Sequence, residues 1–255
     1  LSILFVIVAF SAAFFSRSRE NGDTGWPEYL GGPDRNHYSP LTQIDTGNVR
    51  QLQVAWTYAA PDSGQMQMNA IVVKGILYGV SSALQVFALD AATGRELWRV
   101  GGKIKTGTRT SRGVTYWTNG RGDSRILFTS RSWLYALDAL TGKPVAGFGD
   151  GGRVSLRAGL GEQARDKFVI SNTPGTVFEN LIMMPMRLSE GADAAPGYVQ
   201  AFDVRTGELT WVFHTIPHPG EFGYETWPED AWKNTEVGGA NNWAGMAIDR
   251  DRGIL

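Results

Sequence analysis

Short apolar runs of alternating character recur along the chain, and the same polar turn cuts each of them. Residues 84–89, 133–137 and 198–202 carry the runs, and each passes into Ala-x-Asp-x-x-Thr-Gly: Ala88 to Gly94, Ala136 to Gly142 and Ala201 to Gly207. Alternation with a period of two reads as β-strand, not helix. In the turn, the Asp and Thr side chains bond nearby backbone amides, and the Gly supplies the positive φ that tight turns often need. Each copy therefore predicts one hairpin of an antiparallel sheet. Two copies continue to a tryptophan at the same offset, Trp98 and Trp211. Repeats of this size, rich in Trp and Gly, point to an all-β chain of β-propeller blades.

The pattern predicts further strands over 49–58, a hairpin over 70–81 turning at Lys74-Gly75, and strands 115–117 and 126–128 around a turn at 119–123. An irregular stretch over 155–167 precedes strands at 168–170, 176–178 and 181–186, and a long loop runs from Ile216 to Gly239. Repeats start 48 residues apart from Ala88 to Ala136, then 65 apart to Ala201, so the second interval holds an insertion. Long loops on a rigid β-scaffold commonly line a site. Counting hairpins gives roughly four to five blades at about 40–50 residues each. The chain stops on a turn and the first residues of another strand, so a larger ring is expected to continue it.

Composition narrows the partners. The 255 residues include 32 Gly and nine Trp, carry a net charge of −1, and lack cysteine. No basic run is present to neutralise phosphates, which argues against nucleic acid. Without cysteine, disulfide, zinc–thiolate and iron–sulfur chemistry are excluded within this chain. Residues 1–15 are almost wholly apolar, and Arg17 and Arg19 follow. The run is short for a membrane span of about 20 residues and suits a signal peptide or an uncleaved anchor helix. Either predicts export. The expected organisation is signal or anchor over 1–16, linker over 17–25, and propeller over 26–255.

Most candidate chemistry reduces to structure. His37, His214 and His218 stand in unrelated contexts with no carboxylate at metal-ligand spacing. The glycines of 147–152 lack the Gly-Lys-Ser/Thr ending of a phosphate loop. Arg121-Gly122-Asp123 reads as turn chemistry. Two segments carry more. Arg112 stands beside a glycine just before a strand, either as an ordinary surface arginine or as a ligand contact. Trp243 is set among small residues in 238–245, either as a packing tryptophan between blades or with an aromatic face open for stacking.

With these residues the chain resembles the quinoprotein dehydrogenases, which use pyrroloquinoline quinone (PQQ) on an eight-bladed propeller. The resemblance runs from Trp26 to Leu255. It rests on the tryptophan-docking repeat, on residues 31–41, on Arg112 to Trp117, and on 214–243 with its Glu221-Phe-Gly-Tyr-Glu-Thr-Trp-Pro and Gly-Gly-Ala-Asn-Asn-Trp runs. The second repeat departs, with Ala146 where the Trp would stand. The likeness is greatest to the glucose dehydrogenases that pass electrons to ubiquinone. It implies that Trp243 floors the PQQ ring, that Arg112 pairs with a PQQ carboxylate, and that Thr173 contacts the cofactor. It also implies that Gln67 replaces a common Glu, and that Glu190, with Asp193 as its competitor, ligates Ca²⁺. Thr108, Thr110 and Ser111 occupy the place of the vicinal cysteines of the methanol enzymes. The general-base Asp is expected beyond Leu255, so no catalytic residue is assigned and this stretch alone is expected to be inactive. The implied function is oxidation of a sugar or alcohol in the periplasm, free or anchored to the inner membrane through residues 1–15, with ubiquinone or a cytochrome as acceptor. The alternative is a non-catalytic propeller scaffold of the outer-membrane assembly lipoprotein type.

Overall fold

The computed structural model describes residues 25–101, 110–233 and 238–255. The expected signal or anchor segment, nearly all of the linker, and Thr108 lie outside the described residues. Among those described, no helix is long and apolar enough to cross a membrane.

Strand order follows chain order, as alternating segments joined by tight turns dictate. The first sheet holds β1 (Ile71–Val73), β2 (Ile76–Val80), β3 (Val86–Asp90) and β4 (Glu96–Val100). The second holds β5 (Thr115–Thr118), β6 (Ser124–Ser130), β7 (Trp133–Asp138) and β8 (Arg153–Ser155). A two-stranded ribbon pairs β9 (Val169–Ile170) with β12 (Arg187–Leu188). The third sheet combines β10 (Thr176–Phe178), β11 (Leu181–Met184), β13 (Val199–Asp203) and β14 (Leu209–Phe213). All pairings within the sheets are antiparallel. Each sheet is one blade. The leading strands β5 and β10 touch, whereas the trailing strands β4 and β14 are largely exposed.

The repeat behaves as its chemistry requires. Asp90 Oδ1 accepts from Thr93 N–H at 2.9 Å and from Thr93 Oγ1 at 2.8 Å. Asp138 does the same for Thr141 at 2.8 and 2.6 Å, and Asp203 accepts from Thr206 N–H at 3.1 Å. Gly94, Gly142 and Gly207 have φ of 72°, 69° and 78°.

Two corrections concern the count and the first strand. Three four-stranded sheets form among the described residues, not four to five. Residues 49–58 form no strand: Val49–Gln51 is a 3₁₀ turn, and the rest runs on without a pairing strand. The alternation there serves a different end. Trp56 Nε1 donates to Ala91 O at 3.2 Å, and its ring fills the space where a Gly94 Cβ would stand. Trp98 repeats this on the next blade, donating to Ala139 O at 3.0 Å and covering Gly142.

The cores lie in the gaps between blades. Ile71, Tyr78, Val86 and Ala88 of the first sheet meet Ile126, Phe128 and Leu137 of the second. Leu127, Leu134, Phe148 and Leu156 meet Ile182, Met184 and Phe202 across the next gap.

Candidate cofactor site

Arg112 is placed by its backbone. Its N–H donates to Asn172 O at 2.7 Å, and its carbonyl accepts from Asn69 N–H at 2.9 Å. The loops before β1, β5 and β10 are thus tied together at one residue. Gly113 makes this approach possible: its φ is 143°, and a Cβ would come within 2.7 Å of Asn69 O.

From that fixed backbone, Arg112 Nη1 donates to Thr173 Oγ1 at 2.9 Å. Thr173 is 2% exposed, and its hydroxyl donates in turn to Trp243 O at 2.7 Å. The circuit closes where the Arg112 guanidinium carbon stands 4.9 Å from the Trp243 ring centroid. Trp243 remains 53% exposed. Its loop is fastened by neighbouring side chains: Asn241 Nδ2 donates to Met186 O at 2.6 Å, and Asn242 Oδ1 accepts from Met186 N–H at 3.4 Å. Three residues from three separate segments therefore form one unit, with a charged planar group over an open indole.

Gln67 and Glu190 are not bonded into this unit. Gln67 is exposed, two residues before the Asn69 that holds Arg112. Glu190 is exposed in the turn after β12, with Asp193 exposed three residues on. No hydrogen bond or ion pair among the described residues joins either Gln67 or Glu190 to the trio. Ser111 is buried and bonds its own turn, donating to Gly113 O at 3.3 Å.

The trio suits a flat anionic ring. The indole offers stacking area, and a guanidinium with one bond to Thr173 keeps donors in its fork for a carboxylate. Ca²⁺ takes about six to eight oxygens, and no group of three or more His, Asp or Glu able to hold a metal gathers among the described residues.

Sequence reasoning set aside a second constellation. His214 and His218 stack with centroids 3.8 Å apart and an interplanar angle of 8°. Glu221 clasps both, accepting from His218 N–H at 2.7 Å and facing His214 Nδ1 at 2.7 Å. Tyr198 Oη lies 3.1 Å from His218 Nε2. Burial and the neighbouring His214 hold His218 below its usual value, against the pull of Glu221. Burial alone would raise Glu221, but the His218 amide and the His214 side chain outweigh it and leave its carboxyl low. The signal in the sequence was the Glu221 seven residues after His214, a spacing that carries no meaning in a loop.

Four-stranded antiparallel blades, with Arg112 and Thr173 set before leading strands and bonded to Trp243, define the class. The chain belongs to the PQQ family described as "Glucose/ethanol/alcohol dehydrogenase, beta-propeller domain", whose model matches residues 26–255. It is 30% identical over 272 residues to the dehydrogenase subunit of a quinone alcohol dehydrogenase of Gluconobacter oxydans, covering 96% of this chain and 34% of that protein. It is 31% identical over 260 residues to the quinohemoprotein alcohol dehydrogenase ADH IIB of Pseudomonas putida, covering 94% and 34%. The solved quinohemoprotein alcohol dehydrogenase of Comamonas testosteroni superposes with a TM-score of 0.71 at 25% identity, covering 89% of this chain and 34% of that one. The chain thus spans about a third of the length of these relatives.

Proposed function

We propose that the whole protein is a PQQ-dependent dehydrogenase of CH–OH donors, and that this chain supplies much of the seat for the cofactor. The observation that carries the reading is the Arg112–Thr173–Trp243 circuit inside a chain of this family. The relatives are named as alcohol and glycerol dehydrogenases, which supports an alcohol or polyol as substrate, with a sugar as the further option from the sequence. When bound, PQQ supplies an electrophilic carbonyl that takes up hydride from the donor.

This chain's residues do the holding. Trp243 gives a flat floor, Arg112 a positive fork for a carboxylate, and Thr173 fixes both. The Thr173 hydroxyl proton is already engaged on Trp243 O, so its part is to position the other two. Calcium belongs to the proposal through Glu190, which would give one carboxylate oxygen of a larger shell. No proton transfer is assigned to a residue of this chain. Ubiquinone or a cytochrome as acceptor, and a periplasmic place with residues 1–15 as leader or inner-membrane anchor, complete the reading.

Absorbance titration of the full-length protein with PQQ, with and without Ca²⁺, tests it. Saturable binding that weakens in Arg112→Ala and Trp243→Ala is the expected result. Wild-type protein that leaves the PQQ spectrum unchanged would sink the reading.

A further inference from the structure

Residues 28–37 close into a compact loop. Gly31 N–H donates to Glu28 O at 3.0 Å, Arg35 N–H to Gly32 O at 3.1 Å, and His37 N–H to Leu30 O at 3.0 Å. Arg35 stands in the left-handed region with φ of 56°, a conformation uncommon for a residue other than glycine. Its side chain is largely buried, and every guanidinium nitrogen is engaged. Nε donates to Met246 O at 3.2 Å, Nη1 to Tyr29 O at 2.6 Å, and Nη2 to Thr176 Oγ1 at 3.1 Å. Glu28 faces Nη1 at 3.5 Å, which offsets the cost of burying the charge.

These contacts repeat those of the cofactor seat. There, Arg112 donates to Thr173 Oγ1, which donates to Trp243 O. Here, Arg35 donates to Thr176 Oγ1, which donates to Met246 O at 2.8 Å. Thr176 and Met246 each lie three residues beyond their counterparts, Thr173 and Trp243. The same two segments, one entering β10 and one carrying Trp243, are therefore joined twice by an arginine–threonine–carbonyl relay. Ile248 N–H adds a tie to Pro33 O at 2.9 Å, so the 28–37 loop holds the stretch that follows Trp243 at two points. The two arginines differ in what they leave free. Arg112 keeps donors for a ligand, whereas Arg35 has committed its nitrogens to Met246, Tyr29 and Thr176.

We propose that Arg35 is a positioning residue of the cofactor seat: through Thr176 and Met246 O it sets where the Trp243 ring lies relative to Arg112, without touching the ligand. This role rests on the reading of the seat as a PQQ site.

The test uses the full-length protein, with PQQ absorbance titration, the induced circular dichroism of bound PQQ, and hydrogen exchange without cofactor. Thr176→Val removes the relay and keeps the side-chain shape. Its PQQ affinity should fall about fivefold, and the induced band should change as the ring tilts. Thr176→Ser should restore both. Arg35→Lys keeps the charge but loses the fork; it should lose about tenfold in affinity and show the altered band. Exchange over 245–248 should quicken in both variants while that over 86–100 is unchanged. In a Trp243→Ala background, Thr176→Val should cost less than about twofold, because the relay acts through that ring.

If Arg35→Lys fails to fold, Thr176→Val decides alone. Unaltered affinity in Thr176→Val, an affinity loss with the induced band unchanged, or a full fivefold loss that persists without Trp243 would each overturn the positioning role and leave the seat standing. Wild-type protein that binds no PQQ would overturn the seat and this role with it.

Discussion

Arg125 donates from Nη1 to the carbonyl of Val204 at 2.9 Å, the position in the third repeat that Ala91 and Ala139 hold in the first two. On those two blades the donor is a tryptophan indole. The second repeat has Ala146 at the tryptophan position, and Arg125 of the same blade takes over the joint. It also reaches Arg205 O at 2.7 Å, pairs with Asp123 through Nε and Nη2 at 3.0 and 2.9 Å, and lies 5.6 Å over the Trp117 ring. The Asp123 that closes the Arg-Gly-Asp tripeptide thus orients an inter-blade arginine.

Arg125→Ala should therefore destabilise the chain by about 2–3 kcal/mol, because hydrogen bonds to a charged group are lost and two carbonyls are left unpaired. Arg125→Lys should restore little, since an ammonium cannot match the fork. Urea denaturation midpoints measure both, and a loss under about 0.5 kcal/mol in Arg125→Ala would refute the role given to it.

At the neighbouring joint, Trp98→Phe keeps an aromatic ring over Gly142 but gives up the bond to Ala139 O. It should cost about 1 kcal/mol, against about 3–5 kcal/mol for Trp98→Ala. Gly142→Ala should also be costly, because φ is 69° and the new Cβ would stand 2.7 Å from the Trp98 ring. The same denaturation series ranks all three.

Thr173→Val should loosen the cofactor seat without touching its charge. The hydroxyl that accepts from Arg112 and donates to Trp243 O would be gone. PQQ affinity in the full-length protein is expected to fall about tenfold, equivalent to about 1.4 kcal/mol. Thr173→Ser should restore most of it. Equal affinity of the Val and Ser variants, read by absorbance titration, would remove Thr173 from the seat.

Acidification should loosen the loop that carries His214, His218 and Glu221. Burial and His214 depress His218, so its unfolded form binds a proton first, and stability falls as pH drops below about 6.5. Glu221 is also held low, mainly by the His218 amide and His214 against the cost of burial. Its contribution is present above its unfolded value of about 4.3 and is lost as pH falls through the folded one. Hydrogen exchange over 214–233 should quicken from pH 7 to pH 5, and more steeply below. Glu221→Gln should flatten the lower limb, and exchange that ignores pH after correction for intrinsic rates would contradict the assignment.

The legible parts of the fold were those written locally. Asp90, Thr93 and Gly94 close their turn within five residues, so the sequence alone disclosed the hairpins. Residues 49–58 alternate like a strand, but strandedness needs a partner, and alternation does not reveal whether one exists. Arg125 was silent because its acceptor lies 79 residues away. Arg112 and Trp243 stood out in the sequence as possible ligand contacts, Thr173 was legible only through family likeness, and the structure brings these three together. The likeness named Gln67 and Glu190 on the same footing; both are exposed, and no side-chain bond ties them to the trio among the described residues. The stacked histidines were set aside because their ring contact depends on how the loop folds back over Tyr198.

The bonds that fix Arg112 between Asn69 and Asn172 are made by amides and carbonyls, and every residue but proline possesses both. Frame and occupant are therefore specified separately, the one by main chain and the other by side chains. Side chains along these three loops can change, Gly113 excepted, without removing the main-chain bonds that gather the loops. Substitutions at Arg112 or Trp243 would thus alter what the junction can hold while leaving the junction itself in place.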